Sequence, residues 1–351
     1  MLYPSTAITY PLLILLSTIG KKSFENLGQL IQRSGDTVYR LLHPAEFSFL
    51  QAGYIAQSIF AEKKNLFVGI DDTLIKKIHS QIMQGAGLFF DTKIGRRIMA
   101  FRLVIGMITD GKFTIPIACA YLYSKELLDL SGQKFPTKDE IAKSFVTAAI
   151  KLFPDAKITV VVDGLYSTVE FLGWCKRQNI RLEARMHSNR VVKYKGERVK
   201  VRDLLQIRGL QPKGRQMART ISVIWHELDL ELTIVRRVDK HNKESIVFQI
   251  ATYKALPSEH VANYKKRWPI EMLNRTTKQE LGLQECFSRS LETQRKHVAS
   301  VLLAYTLAQL EMKIRKLKTP EQAIRQCKKK TVSFLKNRFA SFLNNNSQVN
   351  A

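Results

Sequence analysis

Three acidic residues lie where carboxylates could bind a metal ion. Asp71 directly follows the apolar segment 66–70, and Asp163 directly follows the apolar segment 158–162. Two carboxylates at neighbouring strand ends offer the oxygen ligands that a hard divalent cation prefers. Taken alone, an Asp after a strand is more commonly a turn or helix-capping residue, so these two acids leave both interpretations open. The third acid, Glu271, favours the metal site because of its surroundings.

Glu271 shares one face of a helix predicted over residues 261–281 with three other polar side chains. At about 100° per residue these side chains fall within about 60° of one another. The four residues are Tyr264, Arg267, Glu271 and Lys278. The acid could bind a cation while the guanidinium and the ammonium hold phosphate oxygens. Pro269 disfavours helix at Trp268, so the helix is predicted to kink or to begin there.

Strands and helices alternate around the two aspartates. The predicted strands cover 66–70, 102–109, 113–121, 158–162, 181–186 and 246–253, and the predicted helices cover 139–153 and 167–178. Asp110-Gly111-Lys112 is typical of a hairpin turn between the second and third strands. This order predicts an α/β core, residues 63–186 and 246–311, with helices on the faces of a sheet.

Residues 1–62 are predicted to be helical. Ser23 is a suitable cap for a first helix, the segment 33–36 breaks it, and Thr37 opens a second helix. Two short helices around a glycine suit a DNA-binding helix-turn-helix, and they suit a plain helical hairpin about equally well.

Two cation-rich segments complete the chain. Residues 187–245 alternate polar and apolar positions, which predicts a β-rich insertion of short antiparallel strands. Its cations are candidate phosphate ligands, in particular Lys193, Lys195, Arg198 and Lys200. Residues 312–351 are predicted to form a basic helical tail. Ten Lys or Arg stand against one Glu between 312 and 338, more than solubility requires.

The overall charge indicates a polyanionic partner. The 351 residues carry 56 Lys and Arg against 30 Asp and Glu, a net charge of +26. Nucleic acid is the commonest partner of so basic a chain. An anionic membrane surface is the alternative, but the cations are spread along the chain and no apolar run is long enough to span a bilayer. Four widely spaced cysteines form neither a zinc motif nor a disulfide framework, which indicates a reducing compartment.

The spacing Tyr264-x2-Arg267-x3-Glu271-x6-Lys278 resembles the signature of a branch of bacterial insertion-sequence transposases of the Asp-Asp-Glu type. Asp71-Asp72-Thr73 resembles the first acidic strand of that family, Asp163-Gly164 the second, and 184–190 the strand that enters its β-rich insertion. The resemblance covers roughly residues 66–310.

The resemblance implies a ribonuclease H-like catalytic core with a β-rich insertion between the second and third acids. Asp71, Asp163 and Glu271 would hold two Mg²⁺ ions, and Mn²⁺ could substitute. Asp72 is the alternative first ligand. We favour Asp71, because the family pattern places Ser or Thr two residues after the Asp, and Thr73 stands at that position. Trp268 matches a family tryptophan that stacks on a displaced base, although core packing is an equally good role for it.

The function that follows is DNA transposition. The protein would bind the double-stranded ends of an insertion sequence, cut them, and join the freed 3′ ends to target DNA. It would act in the bacterial cytoplasm, associated with the nucleoid, as a homodimer in the DNA complex. The alternatives are a ribonuclease H-fold nuclease without strand joining and a non-catalytic DNA-binding protein derived from a transposase.

Overall fold

The structure is a computed structural model and describes residues 9–17, 22–80, 82–124, 135–212, 217–239 and 241–329. The strands in these residues are β1 (Asn65–Lys76), β2 (Gly87–Asp91), β3 (Arg96–Thr109), β4 (Thr114–Leu122), β5 (Lys157–Val162), β6 (Arg181–Met186), β7 (Val191–Tyr194), β8 (Glu197–Lys200), β9 (Ala218–Trp225), β10 (Leu228–Val238) and β11 (Glu244–Ala251). The helices are α1 (Thr9–Leu16), α2 (Phe24–Ile31), α3 (Gly35–Arg40), α4 (Ala45–Phe60), α5 (Lys138–Leu152), α6 (Val169–Arg177), α7 (Pro257–Lys265), α8 (Trp268–Glu280) and α9 (Leu291–Ile314).

The described strands form one mixed sheet of eleven strands. Its order is β2-β3-β1-β5-β6-β11-β10-β9-β7-β8, with β4 beside β3. The parallel strands β1, β5 and β6 lie at its centre, between antiparallel β3 and β11. Helices α5 and α6 pack on one face, and α8 and α9 pack on the other. The predicted α/β class with a large sheet is confirmed.

The central strands are apolar because both of their faces are covered. Val160, Val161 and Val162 of β5 are completely buried, as expected for parallel strands between two helical layers. The preceding helix α5 begins at a capping box in which Thr137 accepts from the Glu140 amide and Glu140 accepts from the Thr137 amide.

Strand β1 is longer than the sequence indicated. We predicted that it ends at Asp71, and this was wrong: each residue from Phe67 to Lys76 is paired with β3. The two aspartates therefore lie within a strand rather than in a turn. Strand β2 was not predicted at all.

In the N-terminal region, helix α2 begins after Ser23, whose Oγ accepts from the Asn26 amide at 3.2 Å. This confirms the predicted cap. Helix α3 begins after Ser34, whose Oγ accepts from the Thr37 amide, and not at Thr37 itself. Helix α2 packs on α3, and their Leu27 and Val38 are buried in the core.

The strands predicted for 187–245 extend the central sheet. β10 pairs with β11 and with β9, and β11 pairs with β6. A 3₁₀-helix, Val201–Gln206, which the sequence did not predict, lies between β8 and β9.

The C-terminal region differs from the prediction of continuous helix. Residues 281–290 are not helical, and a further helix covers 320–329. Ala323 and Ile324 of that helix are buried, and Lys328 forms an ion pair of 2.9 Å with Glu280. Residues 312–329 are therefore part of the fold, and 330–351 of the predicted tail lie outside the described residues. No helix of the described residues combines the length and apolar character needed to span a bilayer.

Candidate active site

Asp71 and Asp163 occupy adjacent positions on neighbouring parallel strands. The last paired residues of β1 and β5 are Ile70 and Val162. Each aspartate is the next residue of its strand, so both carboxylates project on the same side of the sheet from strands ~4.8 Å apart. Asp71 Oδ1 accepts from the Asp72 amide at 2.9 Å, and Asp163 Oδ1 accepts from the Leu165 amide at 2.8 Å.

Burial and charge repulsion act together on Asp71. Burial raises the pKa of its carboxyl to about 7, and the negative charges of Asp163 and Asp72 contribute to the rise. A raised carboxyl pKa means that the surroundings do not fully offset the negative charge. A divalent cation between Asp71 and the adjacent Asp163 would supply the missing positive charge.

Asp72 lies on the opposite side of the strand, as the alternation of side chains predicts. Its Oδ2 accepts from Arg102 Nε at 2.6 Å, and its Oδ1 accepts from Lys138 Nζ at 2.6 Å. Burial alone would raise the pKa of Asp72, but the two cations outweigh it and the pKa is lowered. Asp72 is thus already neutralised by protein cations, whereas Asp71 is not.

Glu271 lies in the first turn of α8, which packs against β1. Its carboxylate accepts from the guanidinium of Arg267, one helical turn earlier. The charge of Asp71 also acts on Arg267, so this guanidinium interacts with both Glu271 and Asp71. In the described residues no group of three or more His, Cys, Asp or Glu is arranged to hold a metal ion. The convergence of the three acids therefore stays a prediction.

The helix that carries the signature is divided in two, as Pro269 predicts. Helix α7 ends at Lys265 and α8 begins at Trp268, with Pro269 in the first turn of α8. Tyr264 is buried, and the Arg267 guanidinium lies 5.8 Å from the centre of its ring.

Lys278 lies near the C-terminal end of α8, half-buried and within the electrostatic field of Asp71. Burial, together with the positive charges of Lys93 and Lys76, lowers the pKa of its ammonium to about 8. An ammonium in such a position gains from an anionic ligand.

Trp268 does not pack in the core. It is 58% exposed and borders an open groove of about 820 Å³ together with Met217, Pro257, Val261 and Lys265. The structure therefore removes the core-packing alternative and leaves the indole free to contact a ligand.

The candidate phosphate ligands of the insertion lie away from the two aspartates. Lys193, Lys195, Arg198 and Lys200 are all exposed on the β7–β8 hairpin. Five strand spacings separate β5 from β7 in the sheet, or about 24 Å at ~4.8 Å per spacing. The four cations form a separate basic surface, which a long ligand could contact while it also occupies the acidic site.

Three residues of the site were missed from sequence. Arg102 and Lys138 neutralise Asp72, and Arg185 follows Ala184, the register partner of Val162, so it lies beside Asp163. Arg102 could have been noticed because it is the one charged residue in the segment 98–109. Lys138 and Arg185 carry no such signal, since their importance depends on which strand and helix become neighbours.

A buried polar network fixes α7 behind the site. The Glu183 carboxylate accepts from the Tyr253 hydroxyl at 2.5 Å and contacts His260 Nδ1 at 2.6 Å. Glu183 and His260 are both completely buried. His260 is one turn before Tyr264, so the network determines where α7 places the tyrosine.

Comparison with known families agrees with this geometry. Residues 136–307 match the family profile of the transposase DDE domain. The matched segment contains Asp163, Glu271 and Lys278, and Asp71 lies before it. This match supports a transposase of the Asp-Asp-Glu type, with transposase or nuclease activity. No curated protein matches the chain.

Proposed function

We propose that this protein is a DNA transposase that binds the ends of an insertion sequence, cleaves them, and joins the 3′ ends to target DNA. The observation that carries the proposal is the adjacency of Asp71 and Asp163 on β1 and β5, beside the helix that bears Glu271. The match of 136–307 to the transposase DDE domain supports the same reaction class. In this proposal the sheet with α5 to α9 is a ribonuclease H-like core, 187–245 its insertion, and 1–62 the unit that recognises the element end.

Asp71, Asp163 and Glu271 would hold two Mg²⁺ ions, and Mn²⁺ could replace them. Such a pair of ions supplies an activated water and stabilises the leaving 3′ oxygen in phosphodiester cleavage. The half-buried and incompletely neutralised Asp71 favours a cation at this place. Glu271 becomes available as a ligand when it exchanges its ion pair with Arg267, which then can bind a phosphate.

The cations around the acids would position the DNA. Arg267 and Lys278 bind phosphates at the cut end, and the Tyr264 hydroxyl donates to the same group. The exposed Trp268 stacks on a base displaced beside the cut. The β7–β8 hairpin contacts the backbone of the same duplex about seven base pairs away, since ~24 Å corresponds to seven steps of ~3.4 Å. Two protomers would each hold one element end.

The experiment that tests the function uses double-stranded DNA with the terminal sequences of the protein's own element. The protein is incubated with it in Mg²⁺ together with a supercoiled target plasmid, and the strand ends are mapped. A transposase yields cuts at the element boundary with 3′ hydroxyls, followed by joined products. Cutting without joining would assign the protein to the nucleases, and binding without cutting would assign it to the non-catalytic DNA-binding proteins.

A further inference from the structure

The β2–β3 hairpin is an ordered arm at the edge of the sheet. At its tip, Asp91 Oδ1 accepts from the amides of Lys93 at 2.8 Å and Ile94 at 3.2 Å. Gly95 closes the turn with a φ of 74°, a left-handed conformation that favours glycine. An ion pair of 2.5 Å between Lys76 and Asp91 ties the tip to β1. The arm is therefore held in one position relative to the strand that carries Asp71.

The hairpin continues the sheet face on which Asp71 lies. Asp71 pairs with Ile105 of β3, and Phe90 of β2 pairs with Arg97 of β3. Ile105 and Arg97 are eight residues apart on one strand, an even number, so they project from the same face. Phe90, and Leu88 two residues before it, thus face the same side as the acidic pair.

These apolar side chains are exposed, which is unusual for an edge strand. Phe90 is 60% exposed, Leu88 48% and Ile94, in the turn, 41%. A strand edge with exposed apolar groups invites aggregation unless it has a partner. The exposed ring of Phe90 therefore indicates a ligand with an apolar surface.

The tip also directs positive charge towards the active-site helix. Lys93 in the turn and Arg97, the register partner of Phe90 on β3, are both exposed. Lys93 is close enough to Lys278 of α8 to act on its charge, and Lys76 does so as well. Lys76 is already paired with Asp91, whereas Lys93 and Lys278 repel each other, and an anionic ligand would relieve that repulsion. A ligand with both anionic and flat apolar groups fits this surface, and a DNA strand has both.

We propose that the β2–β3 hairpin is a DNA-binding arm, in which Lys93 and Arg97 contact phosphates of the strand that leaves the active site past Lys278, and Phe90 stacks on an unpaired base of that strand. This rests on the proposed function for its partner, since both require DNA at the acidic site. It adds a contact that neither the signature residues nor the β7–β8 hairpin provides.

The test measures binding of the full chain to element ends by fluorescence anisotropy across a range of salt concentrations, in the Glu271→Gln background so that no cutting occurs. One DNA is blunt and the other carries a short single-stranded extension. The variants are Phe90→Ala and the double variant Lys93→Ala with Arg97→Ala. The matched control is Lys151→Ala, an exposed cation on α5 and thus on the opposite face.

Each lost phosphate contact lowers the slope of log affinity against log salt by about 0.9, so the double variant should lose roughly two units on both DNAs. Phe90→Ala should weaken binding to the extended DNA on the order of ten- to a hundredfold and leave the blunt DNA unaffected. Lys151→Ala should behave as its parent.

Slopes and affinities equal to the parent's in all variants would overturn the proposal for the hairpin. Loss of a dimer in Phe90→Ala, with unchanged DNA binding, would overturn it too and would assign the patch to contact between copies of the chain. Failure of the proposed function is separate: the protein without Glu271→Gln would then not cut element ends at all, whatever the hairpin binds.

Discussion

Arg267 donates to Glu271 from one helical turn away, on the helix that packs against the strand of Asp71. A single guanidinium thereby acts on an acid of the helix and on an acid of the sheet. A divalent ion at the acids would take over this role, because it offsets more negative charge at a shorter distance. In the proposed mechanism Arg267 would then be free to bind phosphate. It would pair with Glu271 when no metal ion is bound and with a phosphate when the metal ion is bound.

Removing phosphate contacts should affect joining more than metal binding. Arg267→Ala and Lys278→Ala leave the three acids in place, so pre-cut ends should still bind in Mg²⁺ but about ten- to a hundredfold more weakly. This follows from a loss of ~1.5–3 kcal/mol for one charge-assisted contact. The measurement is joining of pre-cut ends to target DNA at fixed salt, with Lys151→Ala as the control. Joining at the wild-type rate and affinity in both variants would contradict a phosphate role for these cations.

The two neighbouring aspartates should respond differently to amide substitution. Asp71→Asn removes like-charge repulsion from Asp163, so the free energy of unfolding should stay the same or rise while cleavage is lost. Asp72→Asn leaves Arg102 and Lys138 without their acid, which should cost ~3–5 kcal/mol of stability. Urea unfolding and Mg²⁺-dependent cleavage are measured on both variants. If Asp72→Asn is the stable variant that fails to cut, then Asp72 is the metal ligand.

The sequence predicted that a strand precedes each aspartate, but it did not predict where β1 ends. The apolar run before Asp163 is a strand as predicted, since a run of Val and Ile buried on both faces has few alternatives. The run before Asp71 was ended too early, because two aspartates normally indicate a turn. β1 passes through them because Arg102 and Lys138 offset the charge of Asp72. Those cations come from β3 and α5, and no local pattern shows that these elements become neighbours.

His297 should make stability depend on pH. Burial lowers its pKa from 6.5 to about 4, and the neutral ring donates from Nε2 to the Gly282 carbonyl and accepts at Nδ1 from the Tyr10 hydroxyl. Between these pKa values the unfolded chain binds the proton and the folded chain does not. The stability due to this group is therefore present above pH 6.5 and is lost as the pH falls towards 4, by about 3 kcal/mol in all.

The measurement compares urea unfolding at pH 7 and pH 4.5 for the wild type and His297→Gln. The substitution should reduce the difference between the two pH values, whatever it costs at pH 7. His241→Gln, an exposed histidine, should retain the full difference. An equal pH dependence of the wild type and His297→Gln would show that this histidine is not buried in its neutral form.

Breaking the Glu183–His260 pair should be costly, because both side chains are completely buried. His260→Ala leaves the Glu183 carboxylate buried without its main partner, which should lower the free energy of unfolding by ~3–5 kcal/mol. The adjacent Glu259→Ala removes only a partly exposed ion pair with Arg181 and should cost less than ~1 kcal/mol. Urea unfolding of both variants gives the comparison. Equal losses would mean that the buried network does not hold α7.

Neither this network nor the β2–β3 arm could be predicted from local sequence. Glu183 lies in the apolar strand β6, and His260 in a helix that begins 74 residues after Glu183. Glu183 and His260 come into contact only because β7 to β11 bring the chain back to pair with β6. β2 was missed because its short segment, Gly87–Asp91, exposes Leu88 and Phe90, begins with a glycine and follows Gly85 closely. In contrast, Ser23 and Pro269 act on residues close to them in the chain, and the sequence predicted both effects.

The most direct test of the account is cleavage of an element end by Glu271→Gln in Mg²⁺, measured together with DNA binding. The amide keeps the shape of the side chain but removes the charge that would hold a metal ion, and it still can accept from Arg267. The account predicts that cutting and joining both vanish while DNA binding persists or becomes stronger, since one negative charge near the phosphates is gone. If Glu271→Gln cuts at the wild-type rate, Glu271 is only the partner of Arg267, and the metal site proposed with Asp71 and Asp163 is wrong.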